Sequence, residues 1–129
     1  MAINVIKTKP EFEDERGFIT RLINDDEFPL KSVLYIKSKT GSVRANHYHK
    51  KDAHYSYCLS GKFRYVEKAV DGLEGSEESV ILEPGDMVLS RPMKVHAMEF
   101  LEDTIFLAFT TESRDQDKYE EDTVRVKLV

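Results

Sequence analysis

The sequence has little of what disulfide-rich and membrane-spanning proteins depend on. Its 129 residues include one cysteine, Cys58, and no tryptophan. A single cysteine excludes an internal disulfide framework and fits a reducing compartment, so we expect a cytoplasmic protein in which Cys58 is a small buried hydrophobic residue. No apolar run approaches the roughly 20 residues that a membrane helix needs. The first residues also lack the apolar core of a secretory signal.

An excess of basic residues is also missing. The chain carries 24 acidic and 19 basic residues, for a formal net charge of −5, so we expect no nucleic-acid partner. Hydrophobic residues make up 40% of the chain and include seven Phe and six Tyr, which excludes a disordered protein. The length predicts a single domain, residues 1–129, with its own core.

Short β-rich runs recur along the chain, separated by turn residues such as Ser60-Gly61. Many short strands with a turn every few residues favour an all-β sandwich or barrel. The charged run Glu112–Asp122 fits a short helix or an exposed loop with a solvated surface. The predicted strands are Asn4–Lys7, Gly17–Ile23, Ser32–Ser38, Ser42–Tyr48, His54–Ser60, Lys62–Lys68, Ser79–Leu82, Asp86–Ser90, Val95–Phe100, Thr104–Thr110 and Thr123–Leu128.

The four histidines follow a spacing that suits a metal site. His47 and His49 are two residues apart, so both side chains leave the same face of a strand. His54 opens the next run, and His96 lies on a distant strand. Because neutral imidazoles bind divalent transition metals, we predict a site for Zn, Fe, Ni or Mn formed by all four.

These residues resemble the two motifs of the cupin superfamily. The first motif, G-x5-H-x-H-x(3,4)-E-x6-G, is matched by Gly41, His47, His49, His54 and Gly61, with His54 in place of the usual Glu. The second, G-x5-P-x-G-x2-H-x3-N, has the right span from Gly85 to His96, with Pro92 one position late, Lys94 and Val95 in the glycine region and Phe100 in place of the Asn. The resemblance implies a single-domain double-stranded β-helix (a jelly-roll barrel), with the four histidines at the metal-ligand positions.

Two further stretches resemble enzymes of nucleotide-linked 4-keto-6-deoxy sugars. Phe12–Phe18 is similar to a D-x-R-G-F stretch of dTDP-4-dehydrorhamnose 3,5-epimerases. Arg44–Lys50 is similar to the R-G-x-H-A-H-K of dTDP-4-keto-6-deoxyglucose 3,4-ketoisomerases. The resemblance implies that Arg44 holds a diphosphate and that His47 is the catalytic base. We assign Lys50 and Arg91 to substrate binding as well.

The sequence departs from both enzyme groups at two positions. Ala108 stands where the epimerases carry a late-strand tyrosine, and His54 stands where the ketoisomerases carry glutamine. An imidazole bound to a metal cannot also accept a proton, so the metal and base interpretations of His47 compete. In a metal enzyme, Tyr48 or Glu99 would have to act as the base, and the ion would polarise the keto oxygen as a Lewis acid.

Three functions remain open from the sequence. The first is a metal-binding isomerase or epimerase of nucleotide sugars or a related carbohydrate. The second is a mononuclear iron or nickel dioxygenase, and the third is a non-catalytic module that binds a metal and a small ligand. The cupin resemblance also implies a homodimer, with contacts through Asn4–Lys7 or through the face carrying Tyr55 and Tyr57.

Overall fold

Two five-stranded antiparallel sheets make up most of the protein, in a computed structural model that describes residues 2–24 and 29–129. The elements in chain order are β1 Asn4–Lys7, β2 Phe12–Asp14, β3 Gly17–Ile19, β4 Ser32–Ser38, β5 Val43–His49, β6 His54–Ser60, β7 Phe63–Ala69, β8 Glu78–Leu82, β9 Asp86–Ser90, β10 Lys94–Phe100, β11 Thr104–Thr110, α1 Gln116–Asp122 and β12 Thr123–Arg125. The first sheet has the order β1-β9-β6-β11-β4 and the second β12-β5-β10-β7-β8, while β2 and β3 form a separate hairpin.

The inner faces of the two sheets pack on each other and form the core. Strands β6, β9 and β11 contribute from one sheet, and β7, β8 and β10 contribute from the other. The order of each sheet places sequence-distant strands side by side, which is the arrangement of a double-stranded β-helix. The predicted all-β jelly-roll barrel is therefore confirmed.

Most predicted strands are observed within one or two residues, but three regions differ. The predicted strand Gly17–Ile23 ends at Ile19, where it pairs with β2, a strand that the sequence analysis missed. The predicted strand Thr123–Leu128 ends at Arg125, because the backbone beyond it bonds to Asn46 instead of continuing the ladder. Of the two alternatives for the charged run, the structure shows the helix α1.

Aromatic side chains fill one end of the barrel. The rings of Phe63, Phe100 and Phe106 lie 5.6 to 5.8 Å apart, centroid to centroid. Cys58 is fully buried beside them. Burial, and then the nearby Asp86 carboxylate, raise the pKa of the Cys58 thiol to about 11, so it stays protonated at neutral pH.

A second cluster covers the outer face of the first sheet. Tyr55 is buried there with Ala53, Met87 and Leu89, and Ile6 and Ile23 pack against them. Tyr55 is therefore covered by its own chain, whereas Tyr57 is half-buried. In the described part of the chain, no helix is long and apolar enough to cross a lipid bilayer.

Candidate functional site

The four histidines come together at the end of the barrel opposite the phenylalanines. His47 and His49 lie on the inner face of β5, and His47 pairs in register with His96 on β10. His54 projects from β6 in the facing sheet. Ring centroids are 4.6 Å apart for His47 and His49, 4.9 Å for His47 and His96, and 4.7 Å for His49 and His54.

A bulge in β5 shapes this end of the barrel. The register between β5 and β10 shifts between His96 and Ala97, which leaves Asn46 as the extra residue. Ala45 and Asn46 both adopt left-handed conformations, with φ of 68° and 55°. Oδ1 of Asn46 accepts hydrogen bonds from the backbone N–H groups of Leu128 and Val129, so residues 128 and 129 hold the bulge in place.

Burial keeps three of the imidazoles uncharged. Desolvation, and then the neighbouring histidines, lower the pKa of His47 to about 2 and of His49 to about 3. Desolvation also lowers the pKa of His96 to about 4. Nδ1 of His96 donates a hydrogen bond of 3.1 Å to the Lys94 carbonyl oxygen, so its Nε2 carries the lone pair. Neutral imidazoles of this kind act as proton acceptors or as metal ligands.

The side-chain atoms that could bind a metal ion fall into two groups rather than one. One nitrogen from each of His47, His49 and His96 lies within 4.8 Å of the others. His54 instead groups with His49 and Asp52. Within the described residues, the one fully buried side-chain nitrogen or oxygen without a hydrogen-bond partner is Nε2 of His49. The three-histidine group and this unpartnered nitrogen fit a metal ion.

A cavity of about 160 Å³ opens beside the histidines. Two arginines reach it, Arg44 from β5 and Arg114 from the segment before α1. The Arg44 guanidinium donates to Ser38 Oγ at 2.6 Å, and that of Arg114 lies 4.1 Å above the Tyr119 ring. The lining residues are Leu34, Ile36, Arg44, Ala45, His47, His54, Ser56, His96, Met98, Phe106, Ala108, Arg114 and Tyr119.

Four of the predicted site residues lie elsewhere. Tyr48 pairs with Val124 on the face of β5 opposite His47 and His49. Glu99 points outward from β10 and forms an ion pair of 3.1 Å with Arg64. Lys50 Nζ donates to the carbonyl oxygen of Glu121 in the last turn of α1, and Arg91 is exposed just after β9. Among the described residues that line the cavity, none of these four appears.

Three residues of the site were missed by sequence reasoning. Arg114 and Tyr119 belong to a charged run that was interpreted as a solvated surface, although both line the cavity, Tyr119 from α1 and Arg114 from the segment before it. Asp52 is buried between β5 and β6 and contacts His54. Its position two residues before a histidine was a usable signal, since an aspartate so placed can orient an imidazole.

Several solved structures that share this fold are nucleotide-sugar enzymes. A double mutant of the 3,4-ketoisomerase QdtA from Thermoanaerobacterium thermosaccharolyticum, in complex with TDP, is 29% identical, with a TM-score of 0.75 over 95% of this chain and 86% of that chain. A 3,4-ketoisomerase from Helicobacter canadensis is 19% identical, with a TM-score of 0.78 over 97% and 91% of the two chains. A dTDP-4-dehydrorhamnose 3,5-epimerase from Elizabethkingia anophelis is 21% identical, with a TM-score of 0.79 over 98% and 76%.

The family comparison covers nearly the whole chain. The comparison with curated proteins gives no significant match. The sequence model of the family described as "FdtA: WxcM-like, C-terminal" matches residues 2–127. Because this match spans nearly the whole chain and the barrel agrees with it, the chain belongs to this WxcM-like, C-terminal family of RmlC-like cupins.

Proposed function

We propose that this protein is a 3,4-ketoisomerase of nucleotide-linked 4-keto-6-deoxy sugars. The observation that carries the proposal is the cavity that brings uncharged imidazoles together with two arginines. A hydrogen on the carbon next to a carbonyl is acidic enough for a neutral imidazole to accept it. The arginines suit the other end of such a substrate, because a guanidinium binds a diphosphate through paired, charge-assisted hydrogen bonds.

Two observations favour ketoisomerisation over 3,5-epimerisation. Ala108 is buried in the cavity wall, and its methyl group stands where the resemblance to the epimerases calls for a tyrosine hydroxyl. The hydroxyl that the resemblance to the epimerases places on β11 is therefore missing at this position of the wall. The structural relative at 29% identity is also a ketoisomerase rather than an epimerase.

Proton NMR in D₂O with dTDP-4-keto-6-deoxyglucose tests the reaction. The C3–H bond of the substrate breaks and a proton from solvent is added at C4, so we expect a 3-keto product that carries deuterium at C4. Label at C5 would indicate epimerase chemistry and contradict the ketoisomerase. Absence of label with TDP-, UDP- and GDP-linked keto sugars would contradict the proposal as a whole.

We also propose that His47, His49 and His96 hold one divalent ion, Zn, Fe, Ni or Mn. The support is the 4.8 Å grouping of their nitrogens together with the buried, unpartnered Nε2 of His49. Burying a polar nitrogen without a partner costs on the order of 1–3 kcal/mol, which a bound ion would offset. When bound, the ion would polarise the keto oxygen of the substrate as a Lewis acid.

Metal content by mass spectrometry, on protein purified without a histidine tag, tests this second proposal. We expect about one equivalent per chain in the wild type, lost in His49→Gln. His54→Gln is the matched control, since His54 lies outside the three-histidine group, and it should keep the metal. A wild-type protein that takes up no metal from a Zn, Fe, Ni and Mn panel would contradict the proposal.

A further inference from the structure

Thr123 contacts one histidine of the site through its hydroxyl group. It is the first residue of β12 and pairs in register with His49 of β5. Its Oγ1 lies 3.2 Å from Nδ1 of His49 and 2.7 Å from the backbone carbonyl oxygen of Tyr119 in α1. A single hydroxyl therefore connects the helix α1 to the paired histidines of β5.

The two hydrogen bonds of this hydroxyl determine where His49 carries its hydrogen. A threonine hydroxyl has one hydrogen, and a carbonyl oxygen only accepts, so the hydrogen is donated to the carbonyl of Tyr119. Oγ1 of Thr123 then faces Nδ1 of His49 with its lone pairs, and Nδ1 must be the donor. An uncharged imidazole carries a hydrogen on one ring nitrogen and a lone pair on the other. His49 is therefore held with its hydrogen on Nδ1 and its lone pair on Nε2.

A carboxylate on the same side of the ring favours the same arrangement. Oδ2 of Asp122, the last residue of α1, lies 3.7 Å from Nδ1 of His49, which is too long for a direct hydrogen bond. The carboxylate is fixed there because it accepts the backbone N–H groups of Lys51 and Asp52 at 2.8 and 3.1 Å. Its position favours a hydrogen on Nδ1, whereas the hydrogen bond itself comes from Thr123.

The other ring nitrogen of His49 is left available to bind. Nε2 is buried and has no hydrogen-bond partner among the described residues, and the rings of His47 and His54 lie 4.6 and 4.7 Å away, centroid to centroid. A lone pair at this position can accept a hydrogen bond from a sugar hydroxyl or bind a metal ion. A hydrogen at the same position would prevent both, so the bond made by Nδ1 decides what Nε2 can do.

We infer that Thr123 is the positioning residue of His49, and that its hydroxyl fixes the tautomer in which Nε2 is an acceptor for the group bound in the site. The inference rests on the proposed function and adds a residue that acts through His49 without contacting the substrate. It also gives α1 a role, since α1 has no buried residue and apolar packing does not explain its place. The Tyr119 carbonyl takes the hydroxyl hydrogen of Thr123 and so turns its lone pairs toward His49.

Paired substitutions at residue 123 test the hydroxyl through turnover of dTDP-4-keto-6-deoxyglucose. Thr123→Val keeps the shape of the side chain and removes the hydroxyl, so we expect kcat to fall about tenfold with KM within about threefold of wild type. Thr123→Ser keeps the hydroxyl and should retain kcat within about twofold. Thr8→Val is the matched control, because its hydroxyl donates to the Gly85 carbonyl oxygen just before β9, and it should leave kcat unchanged. Assays with EDTA and with added Zn, Fe, Ni or Mn separate the two bound groups, since only a metal ion is removed by chelation.

Nitrogen-15 NMR of histidine-labelled, metal-free protein reads the tautomer without depending on activity. We expect the Nδ1–H tautomer of His49 in the wild type and in Thr123→Ser, and a fraction of the Nε2–H tautomer in Thr123→Val. An Nε2–H tautomer in the wild type would overturn the inference, as would a Thr123→Val variant that keeps the Nδ1–H tautomer or the kcat of an active wild type. A wild type inactive on every nucleotide sugar, whose Nδ1–H tautomer is nevertheless lost in Thr123→Val, would overturn the proposed function and leave the positioning of His49 by Thr123 standing.

Discussion

The barrel interior has two ends built from rings of opposite character. His96 and Phe100 lie four residues apart on the same face of β10, one at each end. At the phenylalanine end (Phe63, Phe100 and Phe106), apolar rings pack against each other. At the histidine end (His47, His49, His54 and His96), polar rings pack about as closely.

Burial of the rings stabilises the fold at the phenylalanine end and destabilises it at the histidine end. Removing a phenyl ring from water stabilises the fold, at about 25 cal/mol for each Å² of apolar surface. Removing an imidazole from water costs free energy unless it finds a partner, and Nε2 of His49 has none among the described residues. The histidine end also contains the left-handed Ala45 and Asn46. The phenylalanine end therefore stabilises the fold and the histidine end reduces its stability, as is typical where a protein has a binding or catalytic site.

The largest effect should come from opening the phenylalanine end. Phe63 is fully buried and contacts both other rings. We expect Phe63→Ala to lower the free energy of unfolding by about 3–5 kcal/mol, because it loses the transfer energy of the ring and leaves a cavity. Urea denaturation measures the loss. A loss below about 1.5 kcal/mol would show that this end is not where the stability lies.

Acidification should act selectively on the histidine end. The pKa values of His47, His49 and His96 are lowered from 6.5 to about 2, 3 and 4, so the unfolded chain takes up protons below pH 6.5 while the folded chain does not until about pH 4. These groups therefore leave stability unchanged above pH 6.5 and reduce it as the pH falls. A full shift costs about 1.4 kcal/mol per pH unit for each group.

Solvent in the cavity screens part of this cost, so we expect a total loss of about 3 kcal/mol between pH 7 and pH 5. Urea denaturation with a chelator, which keeps the protein metal-free, measures it at pH 7, 6 and 5. His96→Asn should reduce the pH slope, since one of the three groups is gone. A stability that is flat over this range would indicate that the imidazoles are accessible to water in the folded state.

The phenylalanine end was easier to predict from the sequence than the histidine end. The strand Thr104–Thr110 is predicted by a short run of apolar residues rich in β-branched and aromatic side chains, and the i, i+2 spacing of His47 and His49 predicts a shared face. Glu99 lies three residues after His96 and therefore on the other face of the same strand. This alternation could have excluded Glu99 from the predicted site. The contacts that hold Asp52 in place could not be predicted, because its partners Thr111 and Glu112 lie about 60 residues away.

The bulge in β5 also could not be predicted from the sequence. Ala45 has no local preference for a left-handed conformation, which is imposed by pairing with β10 and by the bonds between Asn46 and the end of the chain. Arg114 and Tyr119 lie in a run whose charge predicts a solvated surface, yet both line the cavity. In each case long-range packing determines the geometry, whereas local pattern determines only the strand.

Glycine supplies the left-handed conformation at the phenylalanine end. Gly61 has φ of 91°, and an added Cβ would meet the backbone oxygen of Asp103 and come within 2.5 Å of Thr104 Oγ1. We expect Gly61→Ala to cost about 2 kcal/mol, through backbone strain and this clash. Gly75→Ala, with φ of 84° and open space around the added methyl, should cost only about 1 kcal/mol. Equal losses in the two variants, measured by urea denaturation, would show that the clash is relieved by movement of the loop.

At the histidine end a left-handed backbone conformation falls on Ala45 rather than on a glycine. Replacing this alanine with glycine should therefore stabilise the fold slightly. Ala45 has φ of 68°, which costs a residue with a Cβ roughly 1–2 kcal/mol, whereas glycine adopts it freely. Glycine also gives the unfolded chain more freedom, worth about 0.5–1 kcal/mol, so we expect Ala45→Gly to stabilise the fold by about 0.5 kcal/mol. Ala97 is the matched control, because it pairs in register with Ala45 and lies in ordinary extended backbone. Ala97→Gly should therefore destabilise the protein by about 1 kcal/mol. Losses of equal size in both variants would mean that Ala45 bears no backbone strain and that the bulge is a relaxed feature of β5.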